Sequence, residues 1–91
     1  MKTIYKYKVY PTDEFELSLP KGAYILCVQM QDSEPYIWTM VDTEAPLEIR
    51  KFILRGTGHT LPELPLVYIG TFQMRDGLLV FHLFERVEAT I

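Results

Sequence analysis

The sequence predicts an all-β fold, a small antiparallel β-sandwich or partly open barrel of about seven strands. Three observations carry the prediction. Apolar and polar side chains alternate with period 2 along most of the chain. The alternating runs are short and separated by clusters of Pro, Gly, Asp and Ser. The 91 residues are 48% hydrophobic and 23% charged, a globular composition, and their number fits one domain, 1–91.

Each element has its own reason. Thr3 to Val9 sets Thr3, Tyr5, Tyr7 and Val9 on one face and Ile4, Lys6 and Lys8 on the other, the pattern of a half-buried strand. Pro11-Thr12-Asp13 ends it with turn residues. Phe15 to Leu19 alternates strictly and closes at Pro20-Lys21-Gly22. Ala23 to Gln31 is apolar on both faces, as a central strand is: Tyr24, Leu26, Val28 and Met30 share one side, Ala23, Ile25 and Cys27 the other. The four-residue link Asp32-Ser33-Glu34-Pro35 predicts an antiparallel hairpin to a strand from Tyr36 to Val41. Glu48 to Arg55 alternates as a strand, although Leu47, Arg50, Lys51 and Leu54 also have helical spacing over 46–54. The β-rich end of that run favours the strand. Gly56 to Pro65 is a loop with two Gly and two Pro. Leu66 to Met74 is a strand with Tyr68, Gly70, Phe72 and Met74 on one face. Asp76-Gly77 predicts a type I′ hairpin to a last strand, Leu78 to Glu85, and 85–91 reads as a polar tail that frays.

Composition excludes several function classes. A net charge of −3 lacks the basic excess of a general nucleic-acid binder or an anionic-membrane binder. A single cysteine, Cys27, allows no internal disulfide, which favours a reducing, cytoplasmic setting. No apolar run reaches the roughly 18–20 residues that span a bilayer, and the opening Met1 to Lys8, charged with no apolar stretch behind it, is not expected to act as a signal peptide. The core of so short a chain is small, so a homo-oligomer is expected.

The loop Gly56-Thr57-Gly58-His59-Thr60 is the most suggestive element. Its glycines permit positive φ and a close backbone approach, and its N–H groups, hydroxyls and imidazole can build a nest for a small anion. The competing reading is a plain strand-to-loop turn. A flat ligand would need aromatic walls, for which Tyr36, Trp38 and Tyr68 are the candidates, with Arg55 meeting its charge. That reading requires the loop to fold over the same face. Most of the twelve aromatics are spread over at least five strands and read as core. His82 reads as a structural histidine in or beside the core, and Cys27 as an inert small hydrophobe. No His-x-His or Cys-x-x-Cys pair exists, so no metal and no cofactor are expected.

Taken in order, several pieces form a pattern: Met1-Lys2-Thr3-Ile4-Tyr5-Lys6-Tyr7; Leu19-Pro20-Lys21-Gly22-Ala23; Trp38 with Val41-Asp42; Gly56-Thr57-Gly58-His59; Tyr68-Ile69-Gly70-Thr71; and Val80-Phe81-His82. In this pattern the chain resembles a family of small uncharacterised proteins of bacteriophages and prophages. The resemblance implies a phage-type accessory protein in the bacterial cytoplasm. The expected function is non-enzymatic binding, an anti-defence role in which a small nucleotide-like signal is sequestered. Two rival readings are a protein–protein inhibitor of a host enzyme, acting through acidic turns such as 32–34, and a small hydrolase using His59.

Overall fold

In a computed structural model, which describes residues 1–87, the alternating runs fold into seven strands. They are β1 (Lys2–Lys8), β2 (Glu14–Pro20), β3 (Tyr24–Gln31), β4 (Glu34–Asp42), β5 (Leu47–Gly56), β6 (Leu66–Met74) and β7 (Leu79–Arg86). All pairings are antiparallel, and they form two sheets, of order β1-β4-β3 and β2-β5-β7-β6. The architecture is a small open β-sandwich. Stretch 46–54 is strand from Leu47 onward, so its helical spacing is overridden by pairing to both β2 and β7.

The two inner faces bury Val28, Ile37 and Val41 from one sheet against Phe52, Leu54, Phe72 and Leu83 from the other, with Leu19 and Val9 beside them. Thr39 is the buried polar side chain among them, and its hydroxyl donates to the Tyr5 carbonyl at 3.2 Å. That bond makes its burial tolerable.

Two irregularities correct the face assignments. Register slips between Ile25 and Cys27 in β3 and between Tyr68 and Gly70 in β6. Each extra residue flips the parity of the strand beyond it. Ile25 and Val28 therefore both pack inward, opposite Thr39 and Ile37, while Tyr24 and Leu26 are exposed on the outer face. Likewise Gly70 and Phe72 face inward, paired with Leu83 and Phe81, and Tyr68 faces outward, paired with Phe84.

Gly70 of β6 sits close against Val28 of β3 in the facing sheet. A Cβ there would lie 2.6 Å from Val28 Cγ1. Val28 is β-branched and cannot swing away cheaply. Gly70→Ala is expected to cost about 1–3 kcal/mol of stability, and adding Val28→Ala should return part of it. Urea titration of the two single variants and the double variant measures this; strict additivity would show that the two residues do not collide.

The β3–β4 turn is tighter than its link length implies. β3 and β4 join through two residues, Asp32 and Ser33, with Gln31 paired to Glu34 and φ of 50° and 66°. This is a type I′ geometry, and it draws Glu34 and Pro35 into β4 instead of the expected four-residue link. A side chain at positive φ is strained, so Ser33→Gly should raise stability by up to about 1 kcal/mol, seen as a higher melting temperature. Asp76 and Gly77 take positive φ at the centre of the β6–β7 turn, closed by Leu78 N–H donating to the Arg75 carbonyl. β7 extends through Arg86, and Val87 N–H donates to the Pro65 carbonyl. The remainder of the expected tail, 88–91, lies outside the described residues.

Candidate functional site

The strand directions bring four connections to one end of the sandwich: the segment after β1, the β3–β4 turn, the loop after β5 and the β6–β7 turn. The opposite end is closed by charge. Arg50, inward-facing on β5, makes a bidentate pair with Glu85 of β7, Nη2 to Oε1 at 2.8 Å and Nε to Oε2. Its Nη1 donates to the Ala23 carbonyl at 2.6 Å, tying this sheet to the other. Both side chains are largely buried, 17% and 15% exposed, and Glu85 raises the Arg50 pKa above its ordinary value despite burial, which lowers it.

The first end has no such closure. A cleft of about 180 Å³ opens there between the sheets. Phe72, Phe81, Leu54 and Met74 wall it from the four-stranded sheet, and Val9, Pro11 and Pro35 from the other side. Lys8 and Glu34 also border it, but register sets their side chains with Tyr36 on the outer face of the three-stranded sheet, where Lys8 Nζ lies 3.4 Å from Glu34 Oε1 and Tyr36 donates its hydroxyl to Glu34 Oε2 at 3.1 Å. That bond, first of all, raises the Tyr36 pKa. An apolar cavity of roughly 150 Å³ accommodates a benzene ring, so this cleft admits one six-membered ring.

The glycine-rich loop borders this end. Gly56 pairs with Phe81, a wall of the cleft. His59 N–H donates to the Gly56 carbonyl at 3.1 Å, and Gly58 takes φ of 87° at the third position of that turn. A Cβ on Gly56 would meet His59 Cε1 at 3.0 Å. Gly56 has the parity of Leu54, so the imidazole covers the core-facing side of β5 just beyond a cleft residue. The loop is less of an anion nest than its composition implies. Thr57 N–H is used by the Val80 carbonyl and His59 N–H by Gly56. Arg55 is also engaged: Nε donates to the Thr60 carbonyl, and Nη1 to the carbonyls of Asp13 and Leu54. It pins the loop to the strand.

The expected aromatic residues do not gather. Tyr68 stands on the outer face of the four-stranded sheet, where its hydroxyl shares a hydrogen bond with Thr71 at 2.6 Å. His82 continues that chain, Nδ1 to Thr71 Oγ1 at 2.9 Å and Nε2 to Thr57 Oγ1 at 2.7 Å. His82 thus ties β6 and the loop to β7, beside the core and outside it. Tyr36 and Trp38 lie on the outer face of the other sheet, with Lys6 Nζ over their rings at 4.6 and 5.8 Å. Cys27 pairs with Trp38 on that face. The ring-facing walls of the cleft are Phe72 and Phe81, residues whose alternation reads as plain core; the signal for them is inward parity continued to the open end of β6 and β7. Among the described residues no three His, Cys, Asp or Glu side chains group to hold a metal ion, and no helix is long and apolar enough to cross a membrane.

Fold and site together define a class: a small antiparallel β-sandwich, latched by an ion pair at one end and open on an apolar cleft at the other. The sequence comparison agrees with an uncharacterised family. The chain belongs to the family of the domain of unknown function DUF7352, which matches residues 1–90. No curated protein and no solved structure matches it.

Proposed function

We propose that this protein is a non-enzymatic binding protein that holds the ring of a small ligand in the cleft at its open end. One observation carries the reading: an apolar cleft of about 180 Å³ with two phenylalanine walls, one of which, Phe81, pairs with Gly56. Sites of this kind are concave, mostly apolar and furnished with a few polar groups at the mouth. The likeness to small phage and prophage proteins sets the proposal in the cytoplasm of an infected bacterium. There, sequestering a small signal, a nucleotide-like one included, would counter a host defence. Isothermal titration against a panel of ring-bearing ligands, with cyclic and linear nucleotides among them, tests it. Saturable heat with one class supports it, and no heat with any member overturns it.

A protein surface is the second reading. Ile4, Met40 and Tyr24 sit directly across from one another on the outer face of β1, β4 and β3, and all are exposed, as is Leu26. An outward apolar row is unusual on a sheet whose other face is already packed. Sedimentation equilibrium is expected to show self-association that Tyr24→Lys abolishes; a monomer at all concentrations would remove this reading.

A further inference from the structure

The four edges of the sandwich are not alike. β1 and β2 lie along one side, and each carries exposed charge: Lys2, Lys6 and Lys8 on β1, Glu14 and Glu16 on β2. Charged side chains are one way a free edge is kept from pairing with another chain. β3 and β6 lie along the other side and have none. Of the seven described strands they are the two without Asp, Glu, Lys or Arg, while the central strands β4, β5 and β7 all have some. Charge is thus missing at two edges where protection calls for it. Among the described residues, no backbone bond from outside its own ladder reaches Tyr24–Gln31 or Leu66–Met74. Apolar side chains line the gap between these edges. Tyr24, Ile25 and Leu26 of β3 and Val67, Tyr68 and Ile69 of β6 flank a groove of about 400 Å³ that also meets Arg50 and Glu85. Tyr24, Leu26, Val67 and Tyr68 are exposed. The bulges of both strands fall at this groove, so 27–31 and 70–74 run on as regular edge.

We infer that this side is an interface between two copies of the chain, related by a two-fold axis normal to the sheets. β3 pairs antiparallel with β3 of the second copy, and β6 packs against its β6. The inference rests on the self-association proposed above, and it places the contact along the edges and not on the outer face. The edges themselves favour a second copy over an extended peptide. A peptide adds one strand to one edge. A two-fold copy covers both uncharged edges at once, each with a surface as uncharged as itself. The opposite side refuses the same contact, because β1 against its own copy would set lysines against lysines. The size also fits. An eight-residue strand is roughly 26 Å long, and two sheet layers with their side chains are roughly 20 Å deep, so each copy buries about 500 Å². The total, about 1,000 Å², stands at the threshold of a specific interface, so the dimer is weak and depends on concentration.

Sedimentation equilibrium of the full chain and two variants, with amide hydrogen exchange at low and high protein concentration, tests it. Val67→Lys sets a charge on the β6 edge. Met40→Lys sets one in the middle of the outer face, on the central strand β4. Both side chains are exposed, and amide spectra check that the variants fold. The expected result is a dimer that Val67→Lys weakens by about tenfold or more and that Met40→Lys leaves unchanged. Alternate amides of 27–31 should exchange about tenfold more slowly at the high concentration, because they then donate across the two-fold axis, and those of β1 should not change. A dimer weakened by Met40→Lys and not by Val67→Lys would put the contact on the outer face; the edge interface is then wrong and self-association stands. The same holds if a dimer forms without protecting the β3 amides, or if association runs on past the dimer, since a two-fold contact closes. A monomer at all concentrations overturns both.

Discussion

Replacing Phe52 with Ala is expected to lower the unfolding free energy by about 3–5 kcal/mol. Phe52 is 1% exposed, on the inner face of the strand that pairs with both β2 and β7. Its ring stacks on Phe15 at 5.2 Å between centroids, 15° from parallel. Truncation removes the ring from a site where three strands meet, and Phe15, on the edge strand, can fill only part of the space. A domain of this size has roughly 5–15 kcal/mol in hand, and each kcal/mol moves the melting temperature by about 4–8 °C. The melting temperature should therefore fall by at least about 12 °C. A loss below about 1 kcal/mol in urea would mean that β2 collapses onto β5 freely, and that the stack is not a fixed part of the core.

Breaking the latch should come next in size. Arg50→Ala leaves Glu85 as a largely buried carboxylate without its guanidinium and frees the Ala23 carbonyl. The expected loss is about 2–4 kcal/mol, between that of a charged hydrogen bond and that of a fully buried ion pair. Replacing both partners, Arg50→Met with Glu85→Leu, should return much of it, because no charge is then left unpaired. A double variant as unstable as the single one would show that the loss comes from the Ala23 carbonyl and not from the stranded charge.

The seven strands are legible in the chain because each is a period-2 run bounded by turn residues, and Leu66–Met74 and the Asp76-Gly77 turn are legible to the residue. The face assignments of β3 and β6 are not. Nothing local in Ile25-Leu26-Cys27 or Tyr68-Ile69-Gly70 announces an extra residue. Those bulges answer to the partner strand and to the tight approach of Val28 and Gly70, which lie 42 positions apart. The site is half visible for a related reason. The composition of the Gly56–Thr60 loop marks it for attention, and Gly56 pairs with the cleft residue Phe81, but the lining of the cleft includes none of the loop's residues. Its expected walls do not follow, because alternation tells which residues share a face but not which of four faces it is. Tyr36 and Trp38 alternate as cleanly as Phe72 and Phe81, yet the first pair faces outward beneath Lys6 and the second inward. The Arg50–Glu85 pair joins positions 35 apart, and no pattern along the chain connects them.

The strand order also sets a timetable for the growing polypeptide. All three strands of the sheet β1-β4-β3 have been made once Asp42 is added, whereas β2-β5-β7-β6 cannot be completed before Arg86. β2, though made second, must wait for β5. Between the addition of Asp42 and that of Arg86, then, the first sheet has all its strands while the sheet that covers Val28, Ile37 and Val41 is still incomplete. Incompletely covered apolar faces are where nascent chains meet chaperones or one another. The final docking joins partners far apart in the chain, which places folding in the slow, millisecond-to-second range of all-β domains.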